Sequence, residues 1–184
     1  MSFPEDFLSL LISWWASFTP AEQFQFEQLF GGTASLLTVT VPSEFLPAVV
    51  KFWVPALCLF RFGLNELTPT IEEYHFSLRM RPSLENIIRH APNKNARNSF
   101  SSLTGLKKSC LIVDEIDGIP TIRSDFIWDF FGNATHYNPQ SSSFTRLGDS
   151  EASSRRRLYA FAFVIFAGLF FPRSDGLLDL RVSF

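Results

Sequence analysis

The segment Phe52–Tyr74, FWVPALCLFRFGLNELTPTIEEY, constrains the fold of this chain more than any other stretch. Pro55 ends a preceding helix, because proline has no N–H for the helical hydrogen bond. A run of large apolar side chains then favours a strand, and Gly63 supplies a turn before a second strand. Thr70-Ile71-Glu72-Glu73 has the capping-box spacing of a helix start. The segment therefore predicts a β-hairpin around residues 57–68 between two helices.

Capping residues and apolar spacing predict three helices before this segment. A capping-box pattern begins the first, over residues 3–17. Thr19-Pro20-Ala21-Glu22 begins the second, because proline fits the first helical position, and Gly31-Gly32 ends it. Ser43 is predicted to cap the third. The predicted buried faces are Phe7, Leu11, Trp14 and Phe18 in the first helix, and Leu46, Val49, Val50 and Trp53 in the third.

The second half of the chain is less regular. Residues 92–109 are rich in Asn and Ser and are predicted to form a loop. Leu111–Val113 and Ile119–Ile122 are predicted strands on either side of an Asp-Gly turn. A short helix is predicted to end at Gly132. Residues 132–157 are poor in apolar side chains and rich in Ser, which predicts a disordered insertion.

These elements predict a mostly α fold with few strands. We expect a single helical domain over residues 1–184, with a β-hairpin around 57–68 and short strands within 111–122. The chain ends at Phe184 inside an apolar pattern, which is typical of a domain truncated at its C-terminus. With 22 phenylalanines and 46% hydrophobic residues, a chain of 184 residues can bury a substantial core.

The apolar run Leu158–Phe171 has two interpretations. It follows three arginines, and basic residues before an apolar segment are typical of a membrane anchor. As a helix, however, it rises roughly 21 Å, short of the ~30 Å hydrocarbon core of a bilayer. A buried core helix is therefore favoured, with a membrane segment as the alternative. The arginines would oppose the dipole at a helix N-terminus, which makes them candidates for contact with a partner: Arg155, Arg156 and Arg157.

A second basic segment contains no acidic residue. Its five cations are Arg89, Lys94, Arg97, Lys107 and Lys108. Such a segment can contact phosphates, but a solvated loop has the same composition, and only Phe100 offers an aromatic ring for stacking on a base. The net charge of the chain is −2, so no global field attracts nucleic acid. A nucleic-acid interface over residues 89–108 is an alternative rather than the first expectation.

The sequence contains no recognisable motif for catalysis, a cofactor or a metal. Asp114, Glu115 and Asp117 form an acidic cluster, but the ligand spacing of a calcium loop is absent, so a polar turn is expected. No second ligand at metal spacing accompanies any histidine: His75, His90 or His136. We therefore expect no enzyme activity, no cofactor, no metal site and no small-molecule substrate.

Several islands of the sequence match a known pattern: Trp14-Trp15, Phe30-Gly31, Leu36-Leu37, Phe52-Trp53-Val54-Pro55, Cys58 to Gly63, Pro69 to Tyr74, Leu103-Thr104-Gly105 and Ala162 to Pro172. In these islands the chain resembles a plant domain of unknown function that is related to the aminotransferase-like plant mobile domain. The resemblance implies a mostly helical domain of transposable-element origin, a nuclear location and a link to transposon silencing or genome maintenance. None of the four lysines lies in a recognisable pyridoxal phosphate motif, so aminotransferase activity is not expected.

Together these features predict a non-catalytic interaction module with an unidentified protein partner. Cys58 and Cys110 lie far apart without a partner motif, and are expected to be reduced in an intracellular protein. Two alternatives remain open at this point. One is a membrane-associated protein anchored by residues 158–171, and the other is a nucleic-acid-binding module that uses residues 89–108.

Overall fold

A computed structural model describes residues 5–57, 59–68, 73, 76–77, 79, 89–90, 93–132, 138, 141, 143–144, 150–170, 173 and 175–183. The chain divides into two compact units. Unit 1 comprises Met1–Leu29 together with Ser83–Phe184, and unit 2 comprises Phe30–Pro82. The single domain predicted over residues 1–184 stays a prediction.

Helices dominate the described residues. The α helices there are α1 (Glu5–Ala16), α2 (Pro20–Phe30), α3 (Phe45–Val50), α4 (Asn93–Thr104), α5 (Ser124–Ile127) and α6 (Ser150–Ile165). Within the same described residues, two 3-10 helices span Gly31–Thr38 and Lys108–Cys110, and π-helical turns follow α5 over Trp128–Gly132 and α6 over Phe166–Phe170. The predicted mostly α fold with a few short strands is confirmed.

The strands form three small antiparallel groups. They are β1 (Trp53–Val54), β2 (Leu59–Phe62), β3 (Asn65–Leu67), β4 (Arg89–His90), β5 (Asp114–Ile116), β6 (Ile119–Ile122), β7 (Leu178–Asp179) and β8 (Val182–Ser183). The first sheet has the order β1-β2-β3 and lies in unit 2, the second has the order β5-β6-β7 and lies in unit 1, and β4 pairs with β8. The predicted hairpin is confirmed as β2 and β3, and β1 adds a third strand that was not predicted.

The start of α2 is fixed by the predicted capping box. The Thr19 N–H donates to Glu22 Oε2 at 2.8 Å, and the Glu22 N–H donates to Thr19 Oγ1 at 3.3 Å. These reciprocal bonds occupy backbone donors that lack helical partners. The helix ends at Phe30, where Gly31 adopts a positive φ of 62° that glycine tolerates without steric cost.

The core of unit 1 is built around α6. Every residue from Ala160 to Gly168 is buried. The ring of Phe161 lies against four aromatic rings at centroid distances of 5.2–5.7 Å, and these belong to Trp14, Trp15, Phe18 and Phe26. Burying each large side chain contributes roughly 1.5–3 kcal/mol. The core interpretation of the apolar run is therefore confirmed from Leu158 to Gly168, and none of the described helices is long and apolar enough to cross a membrane.

The predicted buried face of α1 is also confirmed, because Phe7, Leu11, Trp14 and Phe18 are all buried. The predicted buried stripe of the third helix is wrong at Val50 and Trp53, whereas Val49 is half-buried and the side chain of Leu46 is outside the described residues. Helix α3 has only six residues and ends at Val50, which is exposed. Trp53 therefore lies on β1 and not on the helix.

The turn between β5 and β6 sets the register of that hairpin. Asp117 and Gly118 both have positive φ, 55° and 72°, as a two-residue type I′ turn requires. Ile116 consequently pairs with Ile119, and β5 begins at Asp114. The first predicted strand, Leu111–Val113, was placed three residues too early.

Two predictions about irregular segments are wrong. Residues 93–104, within the predicted loop 92–109, form α4, which buries Ala96, Phe100, Ser101 and Thr104 against α6 and β6. The two buried hydroxyls are tolerated because they donate to the carbonyls of Leu106 and Phe100 at 2.6 and 2.8 Å. Residues 150–157, the end of the predicted disordered insertion, belong to α6.

Candidate interaction surfaces

The first sheet displays an aromatic face. Cross-strand pairing aligns Trp53 with Phe60 and Phe60 with Leu67, so the three side chains lie on one face, and Phe62 joins them two residues along β2. The rings of Trp53 and Phe60 are 4.9 Å apart. Trp53, Phe62 and Leu67 are 37%, 41% and 58% exposed. We call these four residues the aromatic face.

The other side of the same sheet is polar at its tip. Arg61 donates two hydrogen bonds to Glu66 Oε1, at 3.1 and 2.6 Å, across the strand pair. Both side chains are about half exposed. The ion pair stabilises the hairpin only slightly, since exposed pairs contribute about 0–1 kcal/mol. The sheet therefore has one face with an ion pair at its tip and one face with large apolar side chains that are open to contact.

The basic segment predicted at 89–108 is partly on the surface. Arg97 is exposed on α4, and Lys107 and Lys108 are exposed just after it. The backbones of Arg89 and Lys94 lie in β4 and α4, and their side chains are outside the described residues. The three exposed cations belong to unit 1, whereas the aromatic face belongs to unit 2.

The three consecutive arginines of α6 have different environments. Arg155 is exposed, Arg156 is half-buried and Arg157 is buried. They lie in the second turn of a helix that begins at Ser150, so they do not oppose the dipole at its N-terminus as the sequence predicted. This one segment therefore contains an exposed arginine, a half-buried arginine and a buried arginine.

Arg157 is a core residue, and its predicted role in partner contact is wrong. Its Nε donates to the Phe131 carbonyl at 2.8 Å, and its Nη2 donates to Ser17 Oγ. The guanidinium carbon lies 4.6 Å from the centre of the Phe18 ring, which adds a cation–π contact. Burial of a cation requires such partners. Arg157 therefore ties the end of α1 and the end of the π-helical turn to α6.

Glu22 lies next to this buried cation. Partial burial opposes ionisation of its carboxyl, but the pKa is lowered by hydrogen bonds from the Thr19 N–H and from the hydroxyls of Ser154 and Thr19, and by the charge of Arg157. The Ser154 hydroxyl donates to Glu22 Oε1 at 2.8 Å. The carboxylate thus caps α2 and holds it to α6 at the same time.

Arg156 connects α6 to the end of α4. A Cβ added at Gly105 would lie 2.5 Å from Arg156 Nε, so the guanidinium rests directly on the glycine backbone. The guanidinium carbon also lies 5.9 Å from the Phe144 ring. Leu106 forms a β-bridge with Phe144, and the Lys107 N–H donates to the Ser143 carbonyl at 2.8 Å. The two basic segments predicted separately therefore meet at one place in unit 1.

Three arginine–aspartate pairs were missed from the sequence. They have a spacing of two residues and are Arg123–Asp125, Arg173–Asp175 and Arg181–Asp179. Hydrogen bonds from the guanidinium groups hold the pKa values of the Asp125 and Asp175 carboxyls below their usual range. The repeated tripeptide Arg-Ser-Asp at 123–125 and 173–175 was a readable signal for the first two.

A groove of about 290 Å³ in unit 1 includes the first of these pairs in its lining. It is lined by Phe7, Leu10, Arg123, Ser124, Asp125, Gly176 and Leu177. Its two charged groups already bind each other, because Arg123 Nε donates to Asp125 Oδ1 at 3.0 Å. The groove therefore has an apolar wall and a neutralised rim, which is a poor arrangement for acid–base chemistry.

The acidic cluster lies where a polar turn was expected. Asp114 and Glu115 are exposed on β5, and Asp117 is exposed in the turn. Within the described part of the chain, no three His, Cys, Asp or Glu side chains are grouped so that they could hold a metal ion. His75, His136 and the side chain of His90 lie outside the described residues. Of the predicted helix start Thr70–Glu73, only Glu73 is described.

The fold and its surfaces thus define a mostly α protein with an exposed aromatic sheet in one unit and a basic surface in the other. Comparison with protein families gives a match over residues 11–183 to the domain of unknown function DUF7745. Because the match covers nearly the whole chain, the protein belongs to the DUF7745 family. No curated protein and no solved structure matches the chain.

Proposed function

We propose that this protein is a non-catalytic interaction module that binds a protein partner through the aromatic face of unit 2. The observation that carries this proposal is the exposure of Trp53, Phe62 and Leu67 side by side on one face of the β1-β2-β3 sheet. Aromatic residues are enriched at protein interfaces, and tryptophan is prominent among the residues that contribute most binding energy. Covering these side chains with a partner removes apolar surface from water.

Unit 2 has further exposed apolar side chains: Val39, Val41, Phe45, Val50, Phe52, Leu57 and Leu64. Large contiguous apolar surface is typical of interaction sites. The rings of Phe52 and Phe62 are 4.6 Å apart, so they present a joined aromatic surface at the edge of the sheet. Such a surface suits a partner that contributes apolar side chains.

The ionisation of the paired carboxyls supports a non-enzymatic role. A general acid at neutral pH needs a carboxyl pKa that is raised toward 7. Asp125, Asp175 and Glu22 have pKa values shifted the opposite way by their hydrogen bonds, so all three are ionised at neutral pH. They are suited to capping and ion pairing.

The family assignment alone gives neither the origin of the protein nor its location in the cell. On the resemblance described above, we propose that the chain derives from a plant transposable element and acts in the nucleus, in transposon silencing or genome maintenance. The resemblance includes Phe52-Trp53-Val54-Pro55, which contributes Trp53 to the aromatic face. This link between the resembling segment and the exposed surface supports an interaction role.

The structure supports the two alternatives to different degrees. Residues 158 to 168 lie in the core except for the half-buried Tyr159, which does not support a membrane anchor at 158–171. The nucleic-acid role of residues 89–108 remains a second candidate, since Arg97, Lys107 and Lys108 are exposed.

The proposed function is tested by a pulldown from plant nuclear extract with three forms of the full chain. The face variant is Trp53→Ser with Phe62→Ser, and the matched control is Phe24→Ser with Ile112→Ser, which removes two exposed apolar side chains from unit 1. We expect wild type and control to recover the same protein in similar amounts and the face variant to lose it, while all three melt alike. Equal recovery by all three, or no reproducible partner for the wild type, would contradict the proposal.

A further inference from the structure

We propose that unit 1 carries a second binding surface, for the phosphate backbone of a nucleic-acid duplex, formed where the end of α4 meets α6. Its cations are Lys107 and Lys108 from one segment and Arg155 and Arg156 from another. This inference goes beyond the proposed function, since it concerns the other unit and another class of partner. It also differs from the second candidate above, because two of its four cations lie outside residues 89–108.

The geometry of Arg156 brings the two segments together. Its guanidinium lies against Gly105, two residues before Lys107. Consecutive Cα atoms are about 3.8 Å apart, so the Lys107 backbone lies within about 8 Å of the Gly105 Cα. Arg155 is the exposed neighbour of Arg156 on α6. The segment that carries Lys107 and Lys108 and the part of α6 that carries Arg155 and Arg156 therefore lie close together.

Three of these cations differ from four other arginines of the chain in their ion pairs. Arg61, Arg123, Arg173 and Arg181 each form an ion pair with a carboxylate. Lys107, Lys108 and Arg155 form no ion pair with another described residue. Among the described residues no carboxylate pairs with these three charges, whereas a carboxylate within the chain neutralises each of the four paired arginines.

The polar surface of helix α4, which precedes Lys107, favours phosphates over an acidic protein. The exposed residues of α4 are polar, namely Asn95, Arg97, Asn98 and Ser102. Amide, hydroxyl and basic side chains are the usual partners of phosphate oxygens, whereas a protein interface needs an apolar centre. Phe100 and Phe144 are buried at this surface, so neither can stack on a base. Binding is therefore expected to be independent of base sequence and dependent on salt.

The test is fluorescence anisotropy with the full chain and a labelled DNA duplex of mixed sequence, at several salt concentrations. The surface variant is Lys107→Gln with Lys108→Gln and Arg155→Gln. Arg156 is left unchanged because it also packs against Phe144. The matched control is Lys51→Gln with Arg61→Gln and Arg123→Gln, which removes the same charge from exposed positions elsewhere. Thermal melts establish that both variants fold.

We expect wild type and control to bind the duplex with affinity that falls steeply as salt rises. The surface variant should bind at least about tenfold more weakly at 0.1 M salt, with a salt slope smaller by about 2 to 3. Absence of wild-type binding at low salt, or an equal loss in the control, would overturn the proposal. Polyglutamate is the competitor. If it displaces the duplex as efficiently as unlabelled DNA does at equal charge, the surface suits an acidic protein and the duplex assignment is wrong.

Discussion

The two three-stranded sheets of this protein have the same antiparallel design and opposite surroundings. In unit 1, the β5-β6-β7 sheet buries Thr121, Ile122, Leu178 and Asp179. In unit 2, no residue of the β1-β2-β3 sheet is buried, and the side chains of Trp53 and Phe62 are exposed. Strand pairing alone gives little stability to so small a sheet, so the helices around β6 and β7 stabilise the sheet of unit 1. The comparison teaches that equivalent local structure serves the core in one unit and presents a surface in the other.

The largest expected effect separates the two sheets directly. Ile122→Ala in β6 removes a side chain that is 1% exposed and should lower the free energy of unfolding by about 2–4 kcal/mol, because it leaves a cavity. Leu67→Ala in β3 is the matched variant and should cost under about 1 kcal/mol, since this side chain is already largely in water. Urea unfolding followed by circular dichroism measures both. Equal costs would show that the sheet of unit 2 contributes as much to a core as the sheet of unit 1 does.

An intermediate effect is expected at the arginines. Arg157→Met should lower the free energy of unfolding by about 2–3 kcal/mol, because the buried carbonyl of Phe131 loses its donor. Arg61→Met, on the hairpin of unit 2, should cost less than about 1 kcal/mol, because its ion pair with Glu66 is half exposed. The same urea titration measures the difference. A small cost at Arg157 would mean that its buried contacts are replaced by water.

The smallest expected effect depends on pH. Because the pKa of Glu22 is lowered in the folded state, its ionised form stabilises the fold above the ordinary value of 4.5, and that stability is lost as pH falls through the lower folded pKa. Glu22→Gln should cost about 0.5–1 kcal/mol at neutral pH through the weakened capping box and should reduce the loss of stability below about pH 4.5.

Glu27→Gln, at an exposed position of the same helix α2, is the control for that experiment. Thermal melts at pH 7 and pH 3.5 compare the two variants with wild type. If the Glu22 variant kept the full acid sensitivity of the wild type, the carboxylate would not be the group that senses the pH change.

Local signals were sufficient to predict much of the fold. The capping box at Thr19 and the turn at Gly63 act within a few residues, so the sequence determined α2 and the hairpin. The apolar run of α6 had no interpretation other than burial or a membrane, and length favoured burial. Helix α4 was missed because its composition is polar and its buried hydroxyls are satisfied only by tertiary placement. Its C-terminal end could have been predicted, because glycine commonly follows the last residue of a helix. Gly105 follows Thr104 and has a φ of 71°.

The candidate surfaces were less predictable, for a physical reason. Whether an arginine is exposed or buried depends on what packs against it, and the partners of Arg157 come from Ser17 and Phe131, far away in sequence. The same holds for Arg156, whose position depends on a glycine at the end of α4. The sequence identified the cations but did not indicate which of them are exposed and which are buried. The face of unit 2 was likewise hidden, because apolar residues in a strand usually indicate a core.

Hydroxyl-radical footprinting of the full chain, read residue by residue by mass spectrometry, tests the central claim most directly. The account predicts that Trp53 and Phe62 are labelled rapidly while Trp14 and Phe161 are protected, because the first two are exposed and the last two are fully buried. Protection of Trp53 and Phe62 to the same degree as Trp14, in the isolated chain, would contradict it. That result would mean that the aromatic face is covered by the chain itself and is not available to a partner.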